Sequence, residues 1–390
     1  MTAPVRILAV ADSDSNLKWA AATLERLGTG PERSIAVLRS PIAPSAAQTR
    51  AALAGTDLAA PPVVGLRGLR SCLRRTSPDA VIVAATGATA ELIGCLAVRH
   101  VERRPVLVAG LPGIAVAGIE RMAAWRRWVD AFIVHGRREA DDVAAAFAQV
   151  GASPRIVLDR LPFLGDPYHL AAPVRRVVFA AQAKVPEGRD ERVAILEGLA
   201  RLAGTGLEVV VKLRAAAGER QTHNEAFPYD VLWKREHTVL GFPESAIRFV
   251  EGRMRDWLDP DSALVTVSST AAIEALALGL PTVLINDFGI REALLNEPFA
   301  HSGCLVRLAD VPELLRAGGP VPDPAWLDRN YLHTDPPELV GALAELVDQR
   351  RAGALSELPD IRPRDRAAHL RAVLRTGTPS WLHCRGGGRG

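Results

Sequence analysis

Lysine, aromatic residues and cysteine are all scarce in this chain of 390 residues. Lysine occurs only as Lys18, Lys184, Lys212 and Lys234, whereas arginine and alanine are abundant. Aromatic residues make up 5% of the chain, and the formal net charge is only +3. Because nucleic-acid-binding proteins combine basic surfaces with stacking aromatic rings, this composition argues against a nucleic-acid partner.

The cysteines and histidines show no spacing that is typical of a metal site. Cys72, Cys95, Cys304 and Cys384 are far apart, and the histidines form neither an HExxH nor an HxH motif. The sequence therefore predicts neither a disulfide framework nor a structural metal, and we expect no metal cofactor.

Long apolar runs are also missing, so we expect no membrane-spanning helix. The first apolar run, Val5–Ala11, is too short for a signal peptide, and acidic residues follow it. We interpret this run as a β-strand and expect a cytoplasmic protein. With 48% hydrophobic and 23% charged residues, the composition is that of a globular protein, and the length suits two domains.

Short β-branched runs alternate with helical segments along the chain. Ala80–Ala85 and Ala131–His135 are examples of predicted strands, each followed by a helical pattern. The sequence also predicts a helix over Leu17–Leu27, a short strand or lid at Asp230–Trp233, and a strand at Thr282–Ile285. This alternation predicts a parallel, doubly wound sheet, in which ligands bind beyond the carboxyl ends of the strands. It is interrupted once, by the proline-rich linker Leu161–Pro173.

We therefore predict an α/β fold with two Rossmann-like, doubly wound parallel-sheet domains. The first domain is expected at residues 1–163 and the second at residues 174–355. A C-terminal helix and a disordered tail are expected at residues 356–390.

The most informative stretch is Ser262–Gly289, a predicted strand–helix–strand unit. Its first strand ends in Ser268, Ser269 and Thr270, directly before an alanine-rich helix. Backbone N–H groups at a helix N-terminus lack intrahelical partners and attract anions, so these hydroxyl residues predict a phosphate site. Glu274, one turn later, can complete a capping interaction or reach a ribose hydroxyl. An ordinary helix cap is the alternative interpretation of the hydroxyls.

The segment SSTAAIEALALGLPTV resembles the nucleotide-binding segment of GT-B glycosyltransferases, whose two Rossmann-like domains face each other across a cleft. It is similar to that of bacterial capsule enzymes and sialyltransferase-like enzymes. The whole chain also resembles an actinobacterial group labelled as glycosyltransferases. The resemblance implies transfer of a sugar, hexosyl or sialyl in type, from a nucleotide-sugar donor to a glycan, cell-envelope, capsule-type or lipid-linked acceptor, without a metal.

The resemblance also implies further donor contacts at the ends of two strands. Gln182 lies in the loop after the second domain's first predicted strand, which borders the cleft in GT-B enzymes. Lys212 and Arg214 follow the next strand, where capsule-type transferases often carry a K-x-H-P motif. The His-Pro pair is missing here, and His223 is a candidate replacement for the lost imidazole. An exposed loop is the alternative interpretation of Gln182.

An inverting transferase needs a group that takes a proton from the acceptor hydroxyl. Asp12 and Asp14 follow the first predicted strand, and neighbouring carboxylates raise one another's pKa. We take Asp14 as the candidate base, since Asp12 is the more ordinary helix cap. The D-D/E-G pattern of sialyltransferase-like enzymes is absent. His135, at the end of a predicted strand, is the alternative base, or else a hydrogen-bonded structural residue.

Two arginine-rich segments are candidates for peripheral membrane contact at the inner face. One contains Arg67, Arg70, Arg74 and Arg75, and the other is Arg121–Asp130. Either can meet an anionic lipid or an anionic polymer acceptor, although solvated helix faces with one buried tryptophan are the simpler interpretation.

Two other functions of the same architecture stay open. A nucleotide-sugar 2-epimerase is one, although those enzymes carry Ser-Gly-Gly where this chain has Ser-Ser-Thr. The other is a non-catalytic nucleotide- or sugar-binding protein, because the His-Pro pair is missing. Fold alone does not decide among them.

Overall fold

The computed structural model describes residues 4–99, 103–114, 118–169, 173–213, 225–358 and 365–377. The chain divides into two compact units. Unit 1 comprises Met1–Pro162 and His333–Gly390, and unit 2 comprises Phe163–Leu332. Each unit contains one parallel sheet with helices, so the prediction of an α/β fold with two Rossmann-like domains is confirmed. Among the helices of the described ranges, none has the length and apolar character that a membrane span requires.

Elements are numbered in chain order. The described strands of unit 1 are β1 (Arg6–Ala11), β2 (Glu32–Leu38), β3 (Val63–Val64), β4 (Ala80–Ala84), β5 (Val106–Gly110), β6 (Ala131–Val134) and β7 (Arg155–Leu158). Its described helices are α1 (Asp14–Arg26), α2 (Ala46–Leu53), α3 (Leu66–Thr76), α4 (Gly87–Arg99), α5 (Ile119–Arg126), α6 (Arg137–Gln149), α12 (Leu339–Ala352) and α13 (Arg366–Gly377).

The strands of unit 1 lie in the order β3-β2-β1-β4-β5-β6-β7, and every pair is parallel. The chain winds outward from β1 in one direction and from β4 in the other. Each of the five residues of β4 is buried, as expected for a strand covered on both faces. The switch point of the topology therefore lies between β1 and β4, where loops diverge and ligands commonly bind.

Both faces of this sheet are covered by apolar helix surfaces. On one face α1 and α12 pack together, with Leu17, Leu24, Leu343 and Val347 among the buried residues. On the other face lie α3, α4 and α6. Because α12 buries its apolar side against the first sheet, it belongs to unit 1, whereas the expected second domain at residues 174–355 included it.

The described strands of unit 2 are β8 (Arg176–Ala180), β9 (Glu208–Lys212), β10 (Arg248–Val250), β11 (Ser262–Thr266), β12 (Thr282–Ile285) and β13 (Leu305–Val306). Its described α-helices are α7 (Arg189–Ala203), α8 (Tyr229–Glu236), α9 (Ala271–Ala277), α10 (Val311–Arg316) and α11 (Pro324–Arg329). The strand order is β10-β9-β8-β11-β12-β13, again parallel, so the switch point lies between β8 and β11.

Two elements differ from the sequence-based expectation. Asp230–Trp233, expected as a short strand or lid, lies in helix α8, because Tyr229, Leu232 and Trp233 share the buried side of that helix. Strand β7, which the sequence pattern did not indicate, adds an edge to the first sheet. The tail beyond residue 377, which we expected to be disordered, lies outside the described residues.

A test of the packing in unit 1 comes from Gly94 in α4. A Cβ atom built at Gly94 would lie 2.7 Å from ring carbons of Trp128, which is fully buried. We expect Gly94→Ala to lower the free energy of unfolding by about 1–3 kcal/mol, measured by urea denaturation, because the ring has no space to move into.

The matched control is Gly341→Ala in α12, where an added Cβ meets no atom within 4 Å. This variant should gain up to about 1 kcal/mol, since alanine has the higher helix propensity. Equal effects of the two substitutions would contradict the tight contact between Gly94 and Trp128.

Candidate functional site

Three of the predicted donor residues are brought to one edge of unit 2. Lys212 ends β9, Gln182 follows β8, and Ser268 follows β11. The order β9-β8-β11 makes these strands neighbours, with Ala180 paired to Lys212 in the register of β8 and β9. Because the strands are parallel, their carboxyl ends, and the loops that carry these side chains, lie side by side.

Gln182 and Ser268, which are 86 positions apart, are joined by hydrogen bonds. The Ser268 N–H donates to Gln182 Oε1 at 3.0 Å, and Gln182 Nε2 donates to Ser268 Oγ at 3.2 Å. The Ser268 hydroxyl in turn donates to the carbonyl of Leu294 at 2.6 Å. Ser268 is only 7% exposed, so its N–H and hydroxyl hold the loop in place instead of pointing outward as donors.

Ser269 and Thr270 are the hydroxyl residues that reach the half-buried edge of this loop. Thr270 is the N-cap residue of α9, but its side chain makes no capping bond. The hydroxyl of Ser269, one residue earlier, accepts from the N–H of Ala271 at 3.2 Å. Glu274 is half-buried in the first turn of α9, a helix of seven residues. The three hydroxyl residues thus have different hydrogen-bonding roles at the start of α9.

Arg192, which the sequence analysis missed, holds the loop that carries Gln182. Its guanidinium is 1% exposed and donates to the carbonyls of Gln182 at 3.0 Å and Ala183 at 2.7 Å. The same guanidinium donates to the carbonyl of Phe227 at 2.8 Å and pairs with Glu225. One buried arginine therefore links the loop after β8 to the segment before α8. A long-range contact of this kind leaves no local signal in the sequence.

The remaining donor candidates lie after β9. Lys212 is half-buried at the end of that strand. Arg214 and His223 fall within residues 214–224 and lie outside the described residues. In the described ranges, no three His, Cys, Asp or Glu side chains are arranged to hold a metal ion. The polar groups gathered at this edge are hydroxyls, amides and an ammonium group, which suit an anion.

In unit 1, Asp12 occupies the switch point between β1 and β4. Asp12 is fully buried and accepts from the Thr86 N–H at 2.9 Å and from the Thr86 hydroxyl at 2.6 Å. Its other oxygen accepts from Asn16 Nδ2 at 2.8 Å, and its carbonyl accepts from the Ser40 hydroxyl at 2.9 Å. Asp12 thus joins the loop after β1 to the loop after β4.

Asp14 is less deeply buried than Asp12. It is half-buried and is the first residue of α1, whose N-cap is Ser13. The helix begins three residues before the predicted start at Leu17, so Asp14 lies in the first helical turn, at the carboxyl end of β1. The two carboxylates of the DSD sequence therefore have different environments, one inside the core and one at its edge.

The second arginine-rich segment does not form a basic surface. Arg126 is 4% exposed and donates to the carbonyl of Ala85 at 2.5 Å, and burial lowers its pKa to about 10 although Asp12 acts in the opposite sense. Trp128 is fully buried, and Arg127 pairs with Glu91 at 3.2 Å. This segment is part of the core of unit 1, which corrects its interpretation as a membrane-facing patch.

His135 is 1% exposed, and both of its ring nitrogens are hydrogen-bonded. The indole N–H of Trp19 donates to His135 Nε2 at 2.9 Å, so the ring proton lies on Nδ1, which donates to the carbonyl of Asp159 at 2.8 Å. Burial lowers the pKa of His135 to about 4. A neutral, enclosed imidazole has a structural role, so the geometry argues against the alternative general base.

Glu139 completes this buried cluster. Its Oε2 accepts from the backbone N–H of His135 at 2.7 Å, whereas Oε1 has no partner among the described residues. Burial raises the pKa of Glu139 to about 7. The fold therefore favours the protonated form of Glu139, whereas it favours the deprotonated, neutral form of His135.

We expect the ring of His135 to stay neutral in the folded protein until the pH falls to about 4. Because this pKa lies below the ordinary value of 6.5, the unfolded chain binds the proton first. The contribution of the neutral ring to stability is present above pH 6.5 and is lost as the pH falls toward 4. Nitrogen NMR of the imidazole separates this step from Glu139, and a ring that takes a proton near pH 6.5 would contradict the enclosed geometry.

Comparison with known families covers most of the chain. A family model described as "Putative glycosyltransferase (DUF6716)" matches residues 7–346. A search of curated proteins finds no match.

Solved structures share the architecture at low sequence identity. MnaA from S. aureus, in a co-structure with UDP, is 12% identical, covers 91% of this chain and 99% of its own, and gives a TM-score of 0.55. A UDP-glucosyltransferase from Polygonum tinctorium is 12% identical over 90% of this chain and 100% of its own, with a TM-score of 0.53. A UDP-N-acetylglucosamine 2-epimerase is 13% identical over 92% and 99%, with a TM-score of 0.51. These similarities show the GT-B fold.

Proposed function

We propose that this chain, which belongs to the family whose model matches residues 7–346, transfers a sugar from a nucleotide-activated donor to a glycan, cell-envelope or capsule-type acceptor. The family description and the GT-B fold support glycosyl transfer. One observation carries the donor half of the proposal. Lys212, Gln182 and Ser268 converge at the carboxyl edge of the second sheet, beside the half-buried Ser269 and Thr270.

In this proposal the donor phosphates bind at that edge. Thr270 and Lys212 supply a hydroxyl and an ammonium group, and Arg214 adds a bidentate guanidinium. Ser269 holds the start of α9, while Gln182 and Ser268 set the position of the loop. Donors and cations of this kind stabilise a leaving phosphate without a metal ion.

The base of the nucleotide and its ribose meet other groups. Glu274, in the first turn of α9, is proposed to reach a ribose hydroxyl. His223 is proposed to take the place of the imidazole that capsule-type enzymes carry after this strand. Support for a nucleotide-sugar donor comes from the fold, since UDP is bound in the MnaA co-structure and the plant enzyme is named as a UDP-glucosyltransferase.

The acceptor half of the proposal assigns Asp14 as the general base. Asp12 is fully buried and committed to Thr86, and both nitrogens of His135 are hydrogen-bonded in the core. Asp14 is half-buried at the switch point of the first sheet, where acceptors can approach a doubly wound domain. A carboxylate in this position can take the proton of an acceptor hydroxyl as the sugar is transferred.

A thermal-shift screen with CMP, CDP, UDP and GDP tests the donor site and identifies the nucleobase that it prefers. We expect Lys212→Ala to weaken binding of the selected nucleotide by about tenfold or more, because a charge-assisted phosphate contact is lost. The matched control is Lys234→Ala in α8, which removes the same charge from an exposed position of unit 2.

Two results of that screen would contradict the donor site. One is the absence of a shift with all four nucleotides in the intact protein. The other is an equal loss of affinity in the Lys212 and Lys234 variants, since a general charge effect would then explain the result.

We expect Asp14→Asn to lower kcat for transfer about 10²–10⁴-fold while nucleotide affinity stays unchanged, because only the proton acceptor is removed. Asp348→Asn in the exposed part of α12 is the control in the same unit. Transfer is followed as nucleotide release from the selected nucleotide sugar with and without an acceptor. Full activity of Asp14→Asn would refute this assignment, and formation of the C2 epimer of the donor sugar without any acceptor would favour the epimerase.

A further inference from the structure

Helix α3 presents a continuous basic side to solvent. Arg67, Arg70, Ser71, Arg74 and Arg75 are all exposed, and they line a concavity of about 500 Å³. Within the described ranges, no ion pair or hydrogen bond joins the four guanidinium groups to another residue. The opposite side of the helix, with Leu69, Cys72 and Leu73, is buried in the core of unit 1. The arginines therefore lie on the exposed side of a helix whose other side is packed into unit 1.

Helix α13 lies beside α3 and adds exposed apolar side chains. It packs against α3 and α4, and a Cβ built at Gly65, the N-cap of α3, would lie 3.4 Å from the carbonyl oxygen of Thr376. Leu370 and Leu374, one turn apart, are 57% and 56% exposed. Ala372 and Thr376 point to the buried side.

The two neighbouring helices carry positive charge without negative charge. Helix α13 exposes Arg366, Arg371 and Arg375, of which Arg371 lies 3.9 Å from Asp365, just before the helix. Neither helix sequence contains an aspartate or a glutamate. This surface, the exposed sides of α3 and α13, combines arginines with protruding leucines.

We propose that the α3–α13 surface docks unit 1 onto an anionic lipid bilayer. Arginine side chains bind the phosphate groups of the lipids, and the two leucines enter the boundary between headgroups and acyl chains. A soluble anionic polymer would explain the arginines, but it offers no apolar region for Leu370 and Leu374. The combination favours the bilayer. This inference does not depend on the proposed donor site, since that site lies in unit 2.

Flotation of the full chain with vesicles tests the proposal. Vesicles of phosphatidylcholine alone are compared with vesicles of equal parts phosphatidylcholine and phosphatidylglycerol. We expect binding to the anionic vesicles alone, and we expect it to weaken as salt is added, because screening shortens the range of the attraction.

Two double variants separate the charge from the apolar contribution. Arg70→Gln with Arg74→Gln should weaken binding about tenfold or more, since each arginine near an anionic surface contributes about fivefold. Leu370→Ala with Leu374→Ala should weaken it severalfold. The control, Arg235→Gln with Arg316→Gln, removes the same charge from exposed positions of unit 2 and should bind like the intact protein.

Three outcomes would overturn the proposal. The first is that the intact protein does not float with anionic vesicles, and the second is that the control variant loses as much binding as the α3 variant. The third is that the leucine variant binds unchanged while soluble polyphosphate displaces the protein, which would identify a polymer site in place of a bilayer contact. Unaltered melting temperature and nucleotide affinity in each variant exclude misfolding and keep this result separate from the donor site.

Discussion

In each unit, one polar side chain after the first strand in chain order holds the loop that follows the neighbouring strand of the sheet. In unit 1, Asp12 follows β1 and binds Thr86 after β4, and in unit 2, Gln182 follows β8 and binds Ser268 after β11. Both contacts lie at a switch point, where successive connections run to opposite faces and leave the strand ends uncovered. Polar groups buried there must find partners, and these pairs satisfy them while fixing two loops relative to each other.

This constraint separates the residues that shape each site from those that can meet a ligand. The N–H and the hydroxyl of Ser268 donate to Gln182 and to the carbonyl of Leu294, whereas Ser269 and Thr270 lie at the half-buried edge of the loop. In unit 1, Asp12 is enclosed while Asp14, two residues later, is half-buried. In both short polar runs the inner residue fixes the loop, and the outer residues lie at its half-buried edge.

Local pattern was sufficient to predict most of the fold and part of the site. Strand β12 has the predicted bounds, Thr282–Ile285, because an apolar run between a proline and a polar segment is unambiguous. Helix α8 was misjudged because its buried side is short and aromatic, which suits a strand equally well. The roles of Arg192 and His135 depend on partners distant in sequence, such as Phe227 and Trp19, and no periodicity reveals such contacts.

The same architecture supports more than one reaction, so the residues of the loops decide which reaction takes place. A glucosyltransferase and an epimerase match this chain with nearly equal TM-scores, so the fold does not distinguish between the two reactions. Transfer imposes one further demand, a group that takes a proton from a second substrate. In the first sheet, Asp12 and His135 are buried, whereas Asp14 is half-buried at the carboxyl end of β1. The proposal of sugar transfer therefore depends on Asp14 as the proton acceptor, because a fold that is shared with epimerases does not decide between the two reactions.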